Sequence, residues 1–241
     1  MLLFIAMALF FMSCGGGKSE SDEKAADTTG TTAVTPEPAP APVNTIVTTP
    51  QTSLMIMHKV ANFDKWLMAY EADDSMRLTN GLHSYVIGRG VSDPNMVFVV
   101  LKADDLEKAK SRMKDPGLKK IMQKAGVVGT PEMGVYTTTW QDTVDVGDVI
   151  RSRTTFTIKD WAAWEKNFQE GKQERMDNGV KDRAYGHLAD DDKKVSLVTA
   201  VVDTAKAFAY YKSDALKKRR AAGGVVGEPK RFLFHIVKRY H

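Results

Sequence analysis

One cysteine stands in a chain of 241 residues. No internal disulfide can form, and no thiolate pair is at hand for zinc. The five histidines (His58, His83, His187, His235 and His241) include no two at a helical metal-binding spacing, so no metal or cofactor site is expected from them. No apolar run reaches the roughly 20 residues that span a bilayer. Neither Gly-Val-Val-Gly stretch, at 126–129 and 224–227, ends in the Gly-Lys-Ser/Thr of a phosphate loop. Nothing marks a Ser-His-Asp nucleophile turn, and no basic stretch is interleaved with aromatics in the manner of a nucleic-acid surface. What the chain does have is repetition.

Residues 126–131 read Gly-Val-Val-Gly-Thr-Pro and residues 224–229 read Gly-Val-Val-Gly-Glu-Pro. The same offset, without a gap, aligns Trp66 with Trp164, Arg77 with Arg175, Gly81 with Gly179, Gly88 with Gly186 and Asp105 with Asp203. Residues 53–142 and 150–241 are therefore read as two copies of one unit, and a repeat of this length sets the fold reading before any local pattern does. The repeated Gly-Val-Val-Gly is expected to be a backbone turn leading into an edge strand. The charge is not shared evenly: copy 2 carries most of the chain's net positive charge. Its run Lys217-Lys218-Arg219-Arg220 reads as a solvated face near a helix end. Asp190-Asp191-Asp192 reads as a hairpin tip rather than a calcium loop, which needs six to eight oxygens.

Ahead of the copies, residues 2–12 are an unbroken apolar run of signal-core length. Ser13 and the lone Cys14 follow, then three glycines. This resembles a bacterial lipoprotein signal over residues 1–14. The resemblance implies lipidation at Cys14, a cell-envelope address and attachment to a membrane through the lipid. Residues 15–52 are rich in Gly, Thr, Ala, Pro and acidic side chains and show no apolar face, so a disordered tether is expected there.

Each copy reads strand–helix–strand–strand–helix–strand. In copy 1, Leu54–Val60 is a strand, Asn62 a helix N-cap, and Phe63, Trp66, Leu67, Tyr70 and Arg77 follow helical spacing to a stop at Asn80-Gly81. Strands follow over 82–90 and 96–101, then helices capped by Asp104 and begun at Asp115-Pro116, and a last strand over 132–140. Copy 2 repeats the order. This βαββαβ order predicts an α+β fold of two tandem ferredoxin-like units. Each sheet carries helices on one face only. Two copies can cover each other's bare faces, sheet to sheet, and leave the chain a monomer.

The chain resembles the dimeric α+β barrel superfamily of antibiotic-biosynthesis monooxygenase-like and cyclase-like proteins. His58-Lys59-Val60, Phe63-Asp64-Lys65-Trp66, Arg77, Gly81, Asp93-Pro94-Asn95, Asp105 to Ala109, Met122 and Ala125 to Gly129 with Pro131-Glu132 carry the likeness. In that superfamily two chains usually make the barrel; the resemblance implies that this chain makes it alone.

A pocket is expected between each sheet and its helices. In copy 1 its candidate lining is His58, Trp66, Tyr70, Arg77, Tyr85 and Arg89, for a small apolar or anionic ligand. Ile56, His58 and Val60 share one face of their strand and should look toward the helices. Copy 2 has Phe156 where copy 1 has His58, so copy 1 is expected to hold the roomier and more polar cavity. The sequence leaves two functions open. One is a ligand- or partner-binding module. The other is a cofactor-independent monooxygenase or cyclase with His58 or Tyr136 as proton acceptor.

Overall fold

The computed structural model describes residues 44–240. The apolar run, Cys14 and the tether as far as residue 43 lie outside the described residues. The elements of copy 1 are β2 (Gln51–Val60), α1 (Phe63–Ala72), α2 (Asp74–Thr79), β3 (Leu82–Gly90), β4 (Met96–Ala103), α3 (Leu106–Lys114), α4 (Pro116–Lys124) and β5 (Val127–Asp142). Those of copy 2 are β6 (Arg151–Ile158), α5 (Trp161–Glu170), α6 (Lys172–Asp177), β7 (Val180–Leu188), β8 (Asp191–Val201), α7 (Thr204–Lys212), α8 (Asp214–Ala222) and β9 (Val225–Arg239). All four helices of copy 1 recur in copy 2 at the offset of the sequence repeat.

The strands run in the order β5-β2-β4-β3-β9-β6-β8-β7, and β7 pairs back onto β5. Every pairing is antiparallel, and the sheet closes on itself. Closure leaves no free edge along this ring. It corrects the expectation of an edge strand: β5 and β9 each cross to the other copy, where β5 pairs with β7 and β9 with β3.

Glycine makes both seams possible. A Cβ on Gly186 of β7 would lie 2.0 Å from the Thr137 carbonyl oxygen of β5, and one on Gly88 of β3 would lie 2.3 Å from the Phe234 ring of β9. The repeated Gly-Val-Val-Gly is the opening of β5 and β9 rather than a turn before them. Gly129 and Gly227, both at positive φ, sit where each strand carries two residues more than the β2 or β6 segment it pairs with.

Two further differences from the sequence reading concern boundaries. The disordered tether was expected to reach residue 52, yet β1 (Ile46–Val47) pairs with Gln141 and Asp142 of β5 and continues the β2 ladder along it. Thr45 Oγ1 donates to Asp142 Oδ1 at 2.8 Å, and Thr143 N–H donates to the Thr45 carbonyl at 2.8 Å. A short Thr-Ile-Val stretch can satisfy its backbone on a strand that runs past its neighbour.

The first helix of each copy is also broken, at Asp73 and at Gly171. At each break the repeated arginine donates to a last-turn carbonyl, which also accepts from the Asp73 or Gly171 N–H. Arg77 Nη1 donates to Tyr70 O at 2.5 Å and Arg175 Nη1 to Phe168 O at 2.7 Å. The α3 cap is Asp105, which accepts from Lys108 N–H, whereas Asp104 pairs with His83 at 3.0 Å.

The core lies between sheet and helices. Leu54, Ile56, Val60, Trp66, Leu82, Ile87, Val97, Val99 and Leu101 pack together on the copy 1 side. Side chains also occupy the barrel's interior, beside a cavity of about 90 Å³ at its mouth. Phe98 and Phe234 meet edge-on at 5.3 Å, and Arg153 donates to Tyr136 Oη at 3.1 Å and to Ser196 Oγ at 3.3 Å.

Candidate functional site

Two matched cavities, each of about 70 Å³, lie outside the barrel wall, one under the helices of each copy. In copy 1, β2 supplies Leu54, Ile56 and His58, α1 supplies Trp66 and Tyr70, α2 supplies Arg77, and α3 and α4 close the far side with Arg112 and Met122. Alternation along β2 turns Ile56, His58 and Val60 to this face, as expected. His58, Trp66 and Tyr70 form an aromatic ladder with ring centroids 5.3 and 5.2 Å apart, and the Arg77 guanidinium lies 3.8 Å above the Tyr70 ring.

His58 is 4% exposed, and neither ring nitrogen has a hydrogen-bond partner. Burial lowers its pKa to about 4, so the ring is neutral near pH 7. Arg77, by contrast, is engaged by the Tyr70 carbonyl and by Asp74 Oδ1 at 3.0 Å. Its buried Nε has no partner, and neither has Arg112 Nη2. Tyr70 Oη is 2.7 Å from Ser84 Oγ, and Arg112 pairs with Asp115.

The remaining expected residues lie elsewhere. Tyr85 is in the barrel mouth, where Gln141 Nε2 donates to its hydroxyl. Arg89 caps the outside of Phe63, 4.0 Å above its ring, and donates to Pro94 O at 2.7 Å. Tyr136 is inside the barrel against Arg153, and burial raises its pKa. His58, Trp66, Tyr70 and Arg77 thus share one pocket; Tyr85, Arg89 and Tyr136 do not.

The copy 2 cavity contradicts the expectation that copy 1 is roomier and more polar. The volumes are equal, and the copy 2 lining includes Arg175, Arg219, Arg220, Arg231, Tyr210 and Tyr211 around Phe156, Trp164 and Phe168. Half of the Lys217–Arg220 run thus belongs to a pocket, not to a solvated face. The sequence reading missed these side chains, although the repeat offset carried the signal: Tyr211, Arg220 and Arg231 occupy the places of Met113, Met122 and Met133.

A protein described as anthrone oxidase-like aligns at 12% identity over 80% of this chain and 94% of its own, with a TM-score of 0.51. That share of the chain is more than one copy contains, so a single chain of the relative spans both halves. The fold is a dimeric α+β barrel. Other solved structures align with lower scores. A ferredoxin-fold protein from Listeria monocytogenes related to antibiotic biosynthesis monooxygenases matches at 8% identity over 79% of this chain and 97% of its own, TM-score 0.44. A haem-binding protein from Thermus thermophilus matches at 10% identity over 81% and 94%, TM-score 0.46. No protein-family model matches the sequence, and no curated protein does. Among the described residues of the barrel, no helix is long and apolar enough to cross a membrane, and no group of three or more His, Cys, Asp or Glu side chains is placed to hold a metal ion.

Proposed function

We propose that the protein is a lipid-tethered component of a bacterial cell envelope whose copy 1 pocket holds a small, mostly apolar, uncharged ligand. One observation carries the ligand reading: His58 is buried at the head of an aromatic-walled cavity with both ring nitrogens unpartnered. Leaving such a group without a partner costs about 1–3 kcal/mol, and a ligand with one hydroxyl or carbonyl group would recover that cost. The ring is neutral, so it offers one donor and one acceptor and no charge. Arg77 and Arg112 each pair with one carboxylate, which offsets their charge and favours a neutral ligand here, and their unpartnered Nε and Nη2 are donors for a neutral oxygen. A haem does not fit, because about 70 Å³ is far below the roughly 300 Å³ or more that even drug-sized ligands occupy.

Native mass spectrometry of the protein taken from its own membranes tests this. A retained small molecule, lost in His58→Phe, is the expected result. A protein that carries nothing, or retention unchanged in the variant, overturns it.

The second reading is a cofactor-independent oxygenase or cyclase, and the same neutral His58 is what favours it. Of the two proton acceptors considered, Tyr136 is held protonated by burial and sits in another compartment. His58 could take a proton, but a pKa of about 4 makes it a weak base at neutral pH. Binding is therefore the stronger reading.

A further inference from the structure

We infer that the copy 2 pocket is a second, chemically distinct binding site, for a small carboxylate with a short apolar tail, held by Arg220, Arg231 and Tyr211. The cationic groups around this cavity divide in two. Arg175 forms a two-pronged pair with Asp182, its Nε and Nη2 each 2.7 Å from a carboxylate oxygen. Arg219 is bound to Glu174 through Nε at 3.1 Å and Nη2 at 2.6 Å. These two are neutralised.

Arg220 and Arg231 are not. Both are half-buried in the lining, and neither has a carboxylate within ion-pair distance among the described residues. Arg231 Nε and Tyr211 Oη are buried and have no hydrogen-bond partner at all. The Arg231 guanidinium is held flat on the Tyr211 ring, 3.6 Å from its centroid, which fixes the direction of its free donors. Glu228 acts on Arg220 from a distance, and the charge of Arg220 adds to the burial that lowers the proton affinity of Arg231. Two uncompensated cations and an unused hydroxyl facing one cavity call for an anion. A guanidinium suits a carboxylate because its fork can donate two parallel bonds.

The rest of the wall sets the other half of the ligand. Phe156, Trp164, Phe168, Leu197 and Val225 are apolar and offer the ligand no charge. The volume of about 70 Å³ limits the tail to a few carbons, since one water needs about 10–15 Å³ by the same measure. The contrast with copy 1 singles out the three residues. At the equivalent positions Met113, Met122 and Met133 pack against the apolar core of copy 1, and Met122 lines its cavity. Methionines pack that place without difficulty, so the arginines are not there to fill space.

Butyrate and its neutral isostere butyramide are the probes, titrated into the full chain and followed by NMR shifts of residues in each pocket. Butyrate should shift copy 2 residues and bind at least about tenfold more tightly than butyramide, an order typical of charge-assisted hydrogen bonds. Replacing both arginines by their copy 1 counterparts, Arg220→Met with Arg231→Met, should lose that preference. Tyr211→Phe, which removes only the unpartnered hydroxyl, should weaken butyrate binding without disturbing the fold. His58→Phe should leave butyrate binding unchanged, so the copy 1 reading stands or falls apart from this one. Equal binding of the two probes overturns the inference. So does the absence of copy 2 shifts with butyrate at tens of millimolar, about the weakest range in which such contacts register. Butyrate binding that survives the double replacement overturns it too.

Discussion

At the scale of single residues, His58 and Arg175 show opposite ways of burying a polar group. His58 has no partner and stays neutral. Its pKa falls from 6.5 to about 4 on folding, so the unfolded chain takes up the extra proton as pH drops below about 6.5. Stability contributed by the neutral ring is complete above that pH and is lost progressively down to about pH 4, by roughly 3 kcal/mol at most. His58→Phe should remove this slope. Urea unfolding at pH 7 and pH 4.5 should show a smaller pH loss for the variant than for the parent, with equal or higher stability at pH 7. A parallel loss in both proteins would show that His58 does not titrate in this way. Arg175 is fully served: Asp182, the Phe168 carbonyl and the Phe168 ring 3.6 Å below it hold the guanidinium. Asp182→Ala leaves that charge buried and unpaired, and about 3–5 kcal/mol of stability should go with it. A loss under 1 kcal/mol in denaturant unfolding would mean that water replaces the carboxylate.

At the scale of elements, the two seams depend on glycine. Gly186→Ala would drive a methyl group into the Thr137 backbone, and Gly88→Ala into the buried Phe234 ring. Overpacking of this kind costs about 1–3 kcal/mol. The larger effect is expected at Gly186, where the obstacle is main chain rather than a side chain. Thermal unfolding of both variants checks the order. The repeat made these glycines visible in the sequence, and the order of elements with them. It could not say which strands would meet, because strand pairing is a long-range choice that no local pattern encodes. The same limit explains the site. His58, Trp66 and Tyr70 were legible because strand parity and helix spacing place them on one face; Arg77, beyond the break at Asp73, joins them through its bond to the Tyr70 carbonyl. Tyr85 was not legible, because β3 changes register between Ser84 and Val86 and turns Tyr85 and Val86 together toward the barrel mouth. The β1 segment was hidden by its composition: Thr45, Ile46 and Val47 look like tether until β5 offers them a partner.

At the scale of the whole molecule, the two copies are bound to each other by main-chain hydrogen bonds along both seams, not by side chains alone. Copy 1 and copy 2 expressed apart should each expose two unpaired strands and self-associate or aggregate, while the intact chain sediments as a monomer. Two well-behaved monomeric halves in analytical ultracentrifugation would contradict this. The proposed anchor makes a separate prediction: Cys14→Ala should release the protein from the membrane fraction, whereas equal retention of an unprocessed chain would assign attachment to the apolar run instead. The closure of the barrel also bears on how the chain comes to be folded. Gly88 of β3 must wait for Ile236 of β9, about 150 residues later, and contacts so far apart in sequence form slowly. Synthesis delivers the first copy first, so it stands with β3 unpaired until the last strand has been made. A chain cut short anywhere before Val225 keeps β3 and one side of β6 open. Only a chain that carries β9 pairs every strand of the ring on both sides, and a stop before it therefore exposes the product to the proteases that clear incomplete chains.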